Sequence, residues 1–211
     1  MSALLIVDVQ YDFISGSLAV KQAEAILPVV YDLLDQQNRW DLVVASQDYH
    51  PAGHVSFAST HNATPFQRVR LPHPILGDHP DTIAQMLWPD HCVQGSKGCE
   101  IEEGVRSRLD KLGSKVHIVQ KGCDPIVDSY SAFASNHYVR FTELPKILFS
   151  RDIRKLTVVG LATDYCVRAT AIDARKFNFE VDVVRAGVRA VDSDKENDVL
   201  GELEKWGCNI I

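Results

Sequence analysis

The 211-residue chain lacks an apolar run of the roughly 20 residues that would cross a bilayer. It also lacks an excess of positive charge, because 28 acidic side chains outnumber 22 basic ones and the net charge is -6. Nucleic acids and anionic membranes ask for a basic surface, so neither is an expected partner. The N-terminal residues do not form a positively charged segment followed by an apolar one, as those of a signal peptide do. We therefore expect a cytoplasmic protein, with a nuclear pool left open.

The chain is also short of paired cysteines. Its five cysteines are widely scattered and contain no CxxC spacing: Cys92, Cys99, Cys123, Cys166 and Cys208. This set excludes a zinc ribbon or a thioredoxin-type motif and argues against a disulfide framework. No repeat or linker divides the chain, which is 45% hydrophobic and 24% charged. We expect one domain over residues 1–211.

Short apolar runs alternate with segments of helical period. The predicted strands cover residues 4–9, 42–46, 116–120, 156–162 and 180–185, with an edge strand at 208–211. The predicted helices cover residues 24–37, 101–112, 144–150, 166–176 and 193–206. This alternation predicts an α/β fold, with helices on both faces of a parallel sheet. Residues 47–98 show no regular pattern and are rich in His, Pro and Gly, which favours a long functional loop.

Two helix starts carry capping signals. Thr163 and Asp164 have the chemistry of N-cap residues before the helix at 166–176. Ser193 and Glu196 have the spacing of a capping box. Both patterns predict that side chains accept hydrogen bonds from the first free backbone N–H groups of the helices.

Cys166 lies where a buried strand passes into a helix. Free N–H groups and the positive end of a helix dipole favour a thiolate over a thiol there, and an oxyanion over a carbonyl. The alternative is that Cys166 is a small buried apolar side chain, as most cysteines are.

Polar side chains end three further predicted strands, namely Asp8, Asp48 and Lys121. The carboxyl ends of parallel strands form the active-site edge of such sheets. An ammonium at Lys121 would hold Asp8 ionised or stabilise a thiolate at Cys166. The alternatives are a helix cap or surface charge for Asp8 and a solvated side chain for Lys121.

A second group of polar residues suits a divalent metal. Asp48, His50 and His91 supply one carboxylate and two imidazoles, which zinc accepts. His54 and His61 rank below them as ligands. The remaining histidines are expected on the surface or in the core: His73, His79, His117 and His137.

Motifs along nearly the whole chain resemble the nicotinamidases, a branch of the isochorismatase-like cysteine hydrolases. They are, in order, Asp8-Val9-Gln10 with Asp12-Phe13, Gln47-Asp48-Tyr49-His50-Pro51, Trp88-Pro89-Asp90-His91-Cys92, Lys121-Gly122, Tyr130-Ser131-Ala132-Phe133 and Gly160-Leu161-Ala162-Thr163-Asp164-Tyr165-Cys166-Val167. The resemblance implies a three-layer α/β/α sandwich with six parallel strands in the order 3-2-1-4-5-6. It implies hydrolysis of nicotinamide to nicotinic acid and ammonia, with pyrazinamide as a side substrate.

The resemblance also assigns roles to single residues. It implies a catalytic triad of Asp8, Lys121 and Cys166. It implies that one divalent metal, expected to be zinc, binds Asp48, His50 and His91. A cis peptide bond before Ala162 would let the N–H groups of Ala162 and Cys166 form an oxyanion hole. Phe13, Trp88 and Tyr130 would wall the substrate ring, although core packing is the alternative for these aromatic side chains.

Three other functions stay open at this point. One is another amidase of the same superfamily, acting on a different small carboxamide or ureido acid. Another is a catalytically silent binding protein with the same fold, and the third is a thiol redox enzyme. The expected partner is a small-molecule substrate in every catalytic case, and homo-oligomer formation is left open.

Overall fold

The structure, a computed structural model, describes residues 1–36, 38–76 and 81–211. Eight strands are present in these ranges. They are β1 (Ser2–Val7), β2 (Leu42–Asp48), β3 (Arg68–Pro72), β4 (Thr82–Met86), β5 (Val116–Lys121), β6 (Lys155–Leu161), β7 (Glu180–Arg189) and β8 (Asn209–Ile210).

Six of the strands form one parallel sheet in the order β5-β2-β1-β6-β7-β8. Counted without β3 and β4, this is the order 3-2-1-4-5-6 that the resemblance implies. Strand β1 lies in the middle, where Ile6 is opposite Ala45 of β2 and Val159 of β6. Central strands of such a sheet are covered on both faces, which explains their continuous apolar runs.

The same described ranges contain six α-helices. They are α1 (Tyr11–Ile14), α2 (Leu27–Asp35), α3 (Glu103–Leu112), α4 (Leu144–Ser150), α5 (Arg168–Lys176) and α6 (Glu196–Lys205). Alternate side chains of β1 point to opposite layers. Leu4 packs in a cluster with residues of α2 and α3, and Leu5 in a cluster with residues of α4, α5 and α6. The three-layer α/β/α sandwich is therefore confirmed.

The long segment between β2 and α3 is more regular than the sequence suggests. Strands β3 and β4 pair in antiparallel fashion and form a separate two-stranded hairpin. Residues Arg68, Val69, Arg70 and Leu71 do alternate polar and apolar side chains, which is the signal of a half-exposed strand. The expectation of one irregular loop over residues 47–98 is wrong for this part.

Both capping predictions are wrong. Neither Thr163 nor Asp164 caps a helix, because the chain enters α5 through a π-helical turn, Thr163–Val167, whose N-cap residue is Ala162. The Asp164 carboxylate instead accepts the N–H groups of Val191 and Asp192. These bonds tie the turn to the segment after β7, so tertiary contacts have displaced the local cap.

The capping box of the last helix does not form either. Asp192 is the cap of the 3₁₀ turn that leads into α6, and its carboxylate accepts the N–H of Asp194. The Glu196 carboxylate accepts the N–H of Ala190 at 2.7 Å instead of reaching back to Ser193.

Helix 24–37 is split into a 3₁₀ turn, Ala23–Ile26, and α2, with Pro28 in the first turn of α2. Its predicted end at Gln37 lies outside the described residues. Strand β7 runs four residues past its predicted end at Arg185. Among the described residues, no helix has the length and apolar character that crossing a membrane requires.

Candidate active site

Four polar side chains converge at the carboxyl edge of the sheet, as the strand ends predict. Asp8 follows β1 directly with a positive φ of 48°, and Cys166 lies in the turn after β6. Asp48 and Lys121 are the last residues of β2 and β5, and the strand register pairs them directly. All four side chains are buried. The parallel sheet therefore gathers residues that lie far apart in the sequence.

The Lys121 ammonium is the hub of this cluster. Its Nζ atom lies 2.9 Å from Asp8 Oδ2 and 2.6 Å from Asp48 Oδ1. It also lies 2.9 Å from the backbone oxygen of Ser129 and 3.5 Å from the Sγ atom of Cys166. Burial would lower the pKa of Lys121, but the carboxylates of Asp48 and Asp8 outweigh it and raise this pKa well above its ordinary value. The lysine therefore stays charged.

Asp8 is placed to act on the thiol. Its Oδ1 atom accepts a hydrogen bond of 2.6 Å from the Ser46 hydroxyl, while Oδ2 forms the ion pair with Lys121. Ligand atoms of Asp8, Asp48 and Cys166 all lie within 4.8 Å of one another. Burial raises the pKa of Asp8, and Lys121 opposes that rise. A raised pKa makes this carboxylate a stronger base than an exposed aspartate.

Cys166 is a thiol at rest. Burial raises its pKa well above the ordinary value, and the charge of Lys121 reduces that rise without cancelling it. The expectation that the helix start favours a resting thiolate is therefore wrong. The thiol needs a base for its proton, and two carboxylates lie near it. Asp8 is the stronger base of the two, because burial of Asp48 is outweighed by Lys121 and the histidines, which lower the pKa of Asp48. All five cysteines are free, as the sequence predicts.

The predicted metal ligands also come together. Ligand atoms of Asp48, His50 and His91 lie within 4.8 Å of one another, and all three side chains are buried. The Nε2 atoms of His50 and His91 lie 3.5 and 3.9 Å from Asp48 Oδ2. This cluster can hold a metal ion.

Backbone carbonyl groups orient the two imidazoles for that purpose. His50 Nδ1 lies 2.9 Å from the oxygen of Gly122, and His91 Nδ1 lies 2.8 Å from the oxygen of Pro89. Because a carbonyl oxygen only accepts, each Nδ1 carries a proton, and Nε2 is the nitrogen that lies near Asp48 and can bind a metal. The three donors therefore fit a divalent cation of the borderline kind.

His54 lies beside this cluster and stacks on His50 with 4.1 Å between ring centres. Its Nδ1 atom accepts the N–H of Ser56 at 3.3 Å, so the proton lies on Nε2, which is buried without a partner. Burial and the charge of His50 lower the pKa of His54 to about 4, which keeps the ring neutral.

The other histidines lie outside the site. His61 Nε2 lies 2.8 Å from the oxygen of Val55, so the structure gives no support to His61 as a ligand. His117 and His73 are half-buried, the first in contact with Arg151 and the second near His137, which is exposed. His79 lies outside the described residues.

Aromatic side chains wall a cavity in front of Cys166. Phe13, Trp88, Tyr130 and Tyr165 line it together with Ala162, Asp48, His91 and Asp128. Trp88 Nε1 donates to the Tyr130 hydroxyl at 3.3 Å, and the Trp88 ring meets Tyr165 edge-on at 4.7 Å. The peptide bond before Ala162 is cis, as the resemblance implies. The lining is mainly aromatic and aliphatic, and Asp48, His91 and Asp128 are its polar members beside Cys166.

Three residues of the site were not singled out from the sequence. Ser46 holds Asp8, Tyr165 forms a wall, and Asp128, a residue that is 3% exposed, borders the cavity. Tyr165 directly precedes Cys166, which is a usable signal. The local sequence does not identify Ser46 or Asp128 as site residues, since serine and aspartate are common in loops and at the ends of strands.

Residues 2–211 match the family described as Isochorismatase domain. The nicotinamidase of Escherichia coli K12 is 39% identical over 96% of this chain and 89% of its own length. The yeast nicotinamidase bound to the inhibitor nicotinaldehyde has a TM-score of 0.92 at 31% identity, over 100% of this chain and 99% of its own. A pyrazinamidase of Pyrococcus horikoshii in complex with zinc has a TM-score of 0.76 at 30% identity, over 100% and 98%. The chain belongs to the isochorismatase family and, within it, to the nicotinamidases.

Proposed function

We propose that the chain hydrolyses nicotinamide to nicotinic acid and ammonia, with Cys166 as the nucleophile. The observation that carries this proposal is the position of Lys121 Nζ, which contacts Asp8 and Cys166 at the end of an aromatic cavity. The names of the relatives support the same amide substrate. The pyrazinamidase among them supports pyrazinamide as a side substrate.

In the first step, Asp8 takes the proton of the Cys166 thiol and the sulfur attacks the carboxamide carbon. The raised pKa of Asp8 helps this transfer, because a stronger base takes the proton of a buried thiol more readily. The fixed charge of Lys121 stabilises the thiolate as it forms. The N–H groups of Ala162 and Cys166 are proposed to donate to the oxyanion.

In the second step, the carbon–nitrogen bond breaks. Asp8 returns the proton to the departing nitrogen, so that ammonia leaves rather than an amide anion. A thioester of Cys166 remains. Asp8 then takes a proton from water, whose oxygen attacks the thioester carbon and releases nicotinic acid. The thiolate recovers that proton, which restores the resting thiol.

Phe13, Trp88 and Tyr130 are proposed to hold the flat ring, because their side chains line the cavity on the path to Cys166. Asp48, His50 and His91 would hold one divalent cation, with zinc proposed because two imidazoles and a carboxylate are ligands it accepts. A bound cation would supply a Lewis-acidic position for the ring nitrogen. Correct placement of the ring then sets the distance between Cys166 and the carboxamide carbon.

We further infer that residues 1–211 act as one hydrolase domain, since the family match extends over residues 2–211. The cytoplasm is the proposed compartment. A small carboxamide is the proposed partner.

The test is ammonia release from nicotinamide by purified protein, measured before and after treatment with a chelator and after addition of zinc. Release that falls with the chelator and returns with zinc supports both the nucleophile and the metal cluster. Absence of release by reduced, zinc-loaded protein would overturn the proposed substrate, and a panel of other small carboxamides would follow.

A further inference from the structure

Asp128 is an exception among the buried carboxylates. The described residues include five buried aspartates: Asp8, Asp48, Asp128, Asp173 and Asp182. Asp8 and Asp48 pair with Lys121, Asp173 pairs with Lys176 and Asp182 with Lys155. Asp128 has no lysine, arginine or histidine nitrogen within 4.0 Å in the described part of the chain. A buried carboxylate without a cation is strongly disfavoured.

Neutral groups hold the Asp128 carboxylate in place. Gln85 Nε2, from strand β4 of the hairpin, donates to Oδ2 at 2.8 Å, and the N–H of Ser129 donates to Oδ1 at 2.7 Å. Gln85 is itself buried and also donates to the oxygen of Met86 at 2.8 Å. These bonds fix the carboxylate at the cavity wall without neutralising its charge.

The Asp128 carboxylate lies next to the histidines of the metal cluster. One of its oxygens and ring nitrogens of His50 and His54 all lie within 4.8 Å of one another. Asp128 and the ligands Asp48 and His91 also line the same cavity. The Asp128 carboxylate therefore lies beside His50, one of the three residues that would hold a cation.

With His50 and His91 neutral, as metal-binding imidazoles are, the buried charges around the site balance when one divalent cation is counted. Asp8, Asp48 and Asp128 are three buried carboxylates, and Lys121 is the single buried lysine or arginine in the described part of the chain. Lys121 lies 2.6 Å from Asp48, so its charge also opposes a metal ion on the same carboxylate. One divalent cation closes the difference between three negative charges and one positive charge. The charge of Asp128 is needed for that balance.

We propose that Asp128 is a positioning residue that raises the affinity of the Asp48, His50 and His91 cluster for a divalent cation. It acts through its charge from beside His50, and the N–H of Ser129 is enough to keep it there when Gln85 is replaced. This proposal rests on the metal cluster of the proposed function. Residues that surround a metal's ligands typically change its affinity 10- to 100-fold.

The experiment measures the zinc dissociation constant of the purified protein by competition with a chromogenic chelator. We expect Asp128→Asn to weaken zinc binding about 10-fold or more. Gln85→Met is the matched control, because it removes the same hydrogen bond and keeps the charge, and its zinc affinity should stay within about threefold of wild type. Asp182→Asn removes a buried carboxylate far from the cluster and should leave zinc affinity unchanged.

Thermal unfolding with and without zinc distinguishes a role of the Asp128 charge in zinc binding from a purely structural role of Asp128. A purely structural Asp128 would lower the midpoint of the metal-free protein in the Asn variant while its zinc-induced increase stays as in wild type. The proposed role predicts that the zinc-induced increase shrinks. If Asp128→Asn does not fold, Asp128→Ser gives the same comparison, because its hydroxyl can accept the N–H of Ser129.

Two results would overturn the proposal. One is a zinc affinity of Asp128→Asn within about threefold of wild type. The other is a loss of zinc affinity in Gln85→Met as large as the loss in Asp128→Asn. Wild-type protein that binds no zinc would instead contradict the metal part of the proposed function, so the two failures are distinguishable.

Discussion

Asp48 and Lys121 face each other at the ends of neighbouring strands, with 2.6 Å between Asp48 Oδ1 and Lys121 Nζ. The other oxygen of the same carboxylate, Oδ2, lies beside the Nε2 atoms of His50 and His91. One carboxylate therefore belongs both to the group around the thiol and to the group that can hold a metal. This shared residue links the chemistry at Cys166 to the geometry of the metal cluster.

Replacing the nucleophile should separate turnover from metal binding. We expect Cys166→Ala to lower kcat for nicotinamide by roughly 10⁴-fold or more, since the thioester cannot form. Zinc content should stay at the wild-type level, because Cys166 is not among Asp48, His50 and His91. Cys123→Ala is the control, since Cys123 is an exposed cysteine whose loss should leave kcat unchanged. Wild-type turnover by Cys166→Ala would contradict the mechanism.

Removing the buried ammonium should destabilise the fold. Lys121→Met leaves Asp8 and Asp48 without their cation, and loss of one partner of a buried pair costs about 3–5 kcal/mol. We expect the free energy of unfolding in urea to fall by that amount. Adding Asp8→Asn to Lys121→Met removes one of the two carboxylate charges left without a cation and should restore part of the free energy of unfolding. A double variant that is less stable than Lys121→Met would show that the two side chains do not act as a charge pair.

The pH dependence of kcat/KM should report Asp8. Below the pKa of this carboxyl the group is protonated and cannot take the thiol proton, so kcat/KM should fall as the pH falls. Because burial raises the pKa of Asp8, the fall should be centred above the value of about 4 of an exposed aspartate. An acid limb centred below pH 4 would contradict the role of Asp8 as the base. The pKa of Lys121 is raised well above its ordinary value of about 10.4, so no loss from its deprotonation is expected near pH 8.

A methyl group at Gly122 should disturb the metal cluster. A Cβ atom at this position would lie 2.3 Å from Cε1 of His50, and the backbone there has a φ of +66°. We expect Gly122→Ala to weaken zinc binding about 10-fold or more, since His50 must move. Gly113→Ala is the matched control, because Gly113 also has a positive φ, +57°, but open space around a Cβ. Equal zinc affinity in the two variants would contradict the role of His50 as a ligand.

The aromatic wall should contribute to substrate binding. Trp88 is 4% exposed and lines the cavity, so Trp88→Ala should raise the KM for nicotinamide about 10-fold through lost ring contacts. Trp206→Ala is the comparison, because Trp206 lies outside this cavity and is 43% exposed. Its KM should match wild type. An unchanged KM in Trp88→Ala would show that this ring serves packing alone.

The sequence by itself determined where the chemistry lies along the chain. Buried parallel strands must be apolar, so polar residues at their ends stand out, and this identified Asp8, Asp48, Lys121 and Cys166. Local signals were less reliable. Asp164 and Glu196 looked like caps, yet both carboxylates bind N–H groups of the segment after β7. A carboxylate with several backbone N–H donors nearby accepts hydrogen bonds from those that folding brings close, and sequence spacing alone does not identify them.

Only the tertiary structure decided the properties that depend on distance and burial. The strand register brings Lys121 opposite Asp48, and its long side chain then reaches Asp8 and Cys166. Burial makes Cys166 a resting thiol, although a helix start in the sequence favours a thiolate. In the described part of the chain, no lysine or arginine pairs with Asp128, and this too follows from the surroundings that folding creates. Desolvation and charge pairing are set by neighbours in space and not by neighbours in the chain.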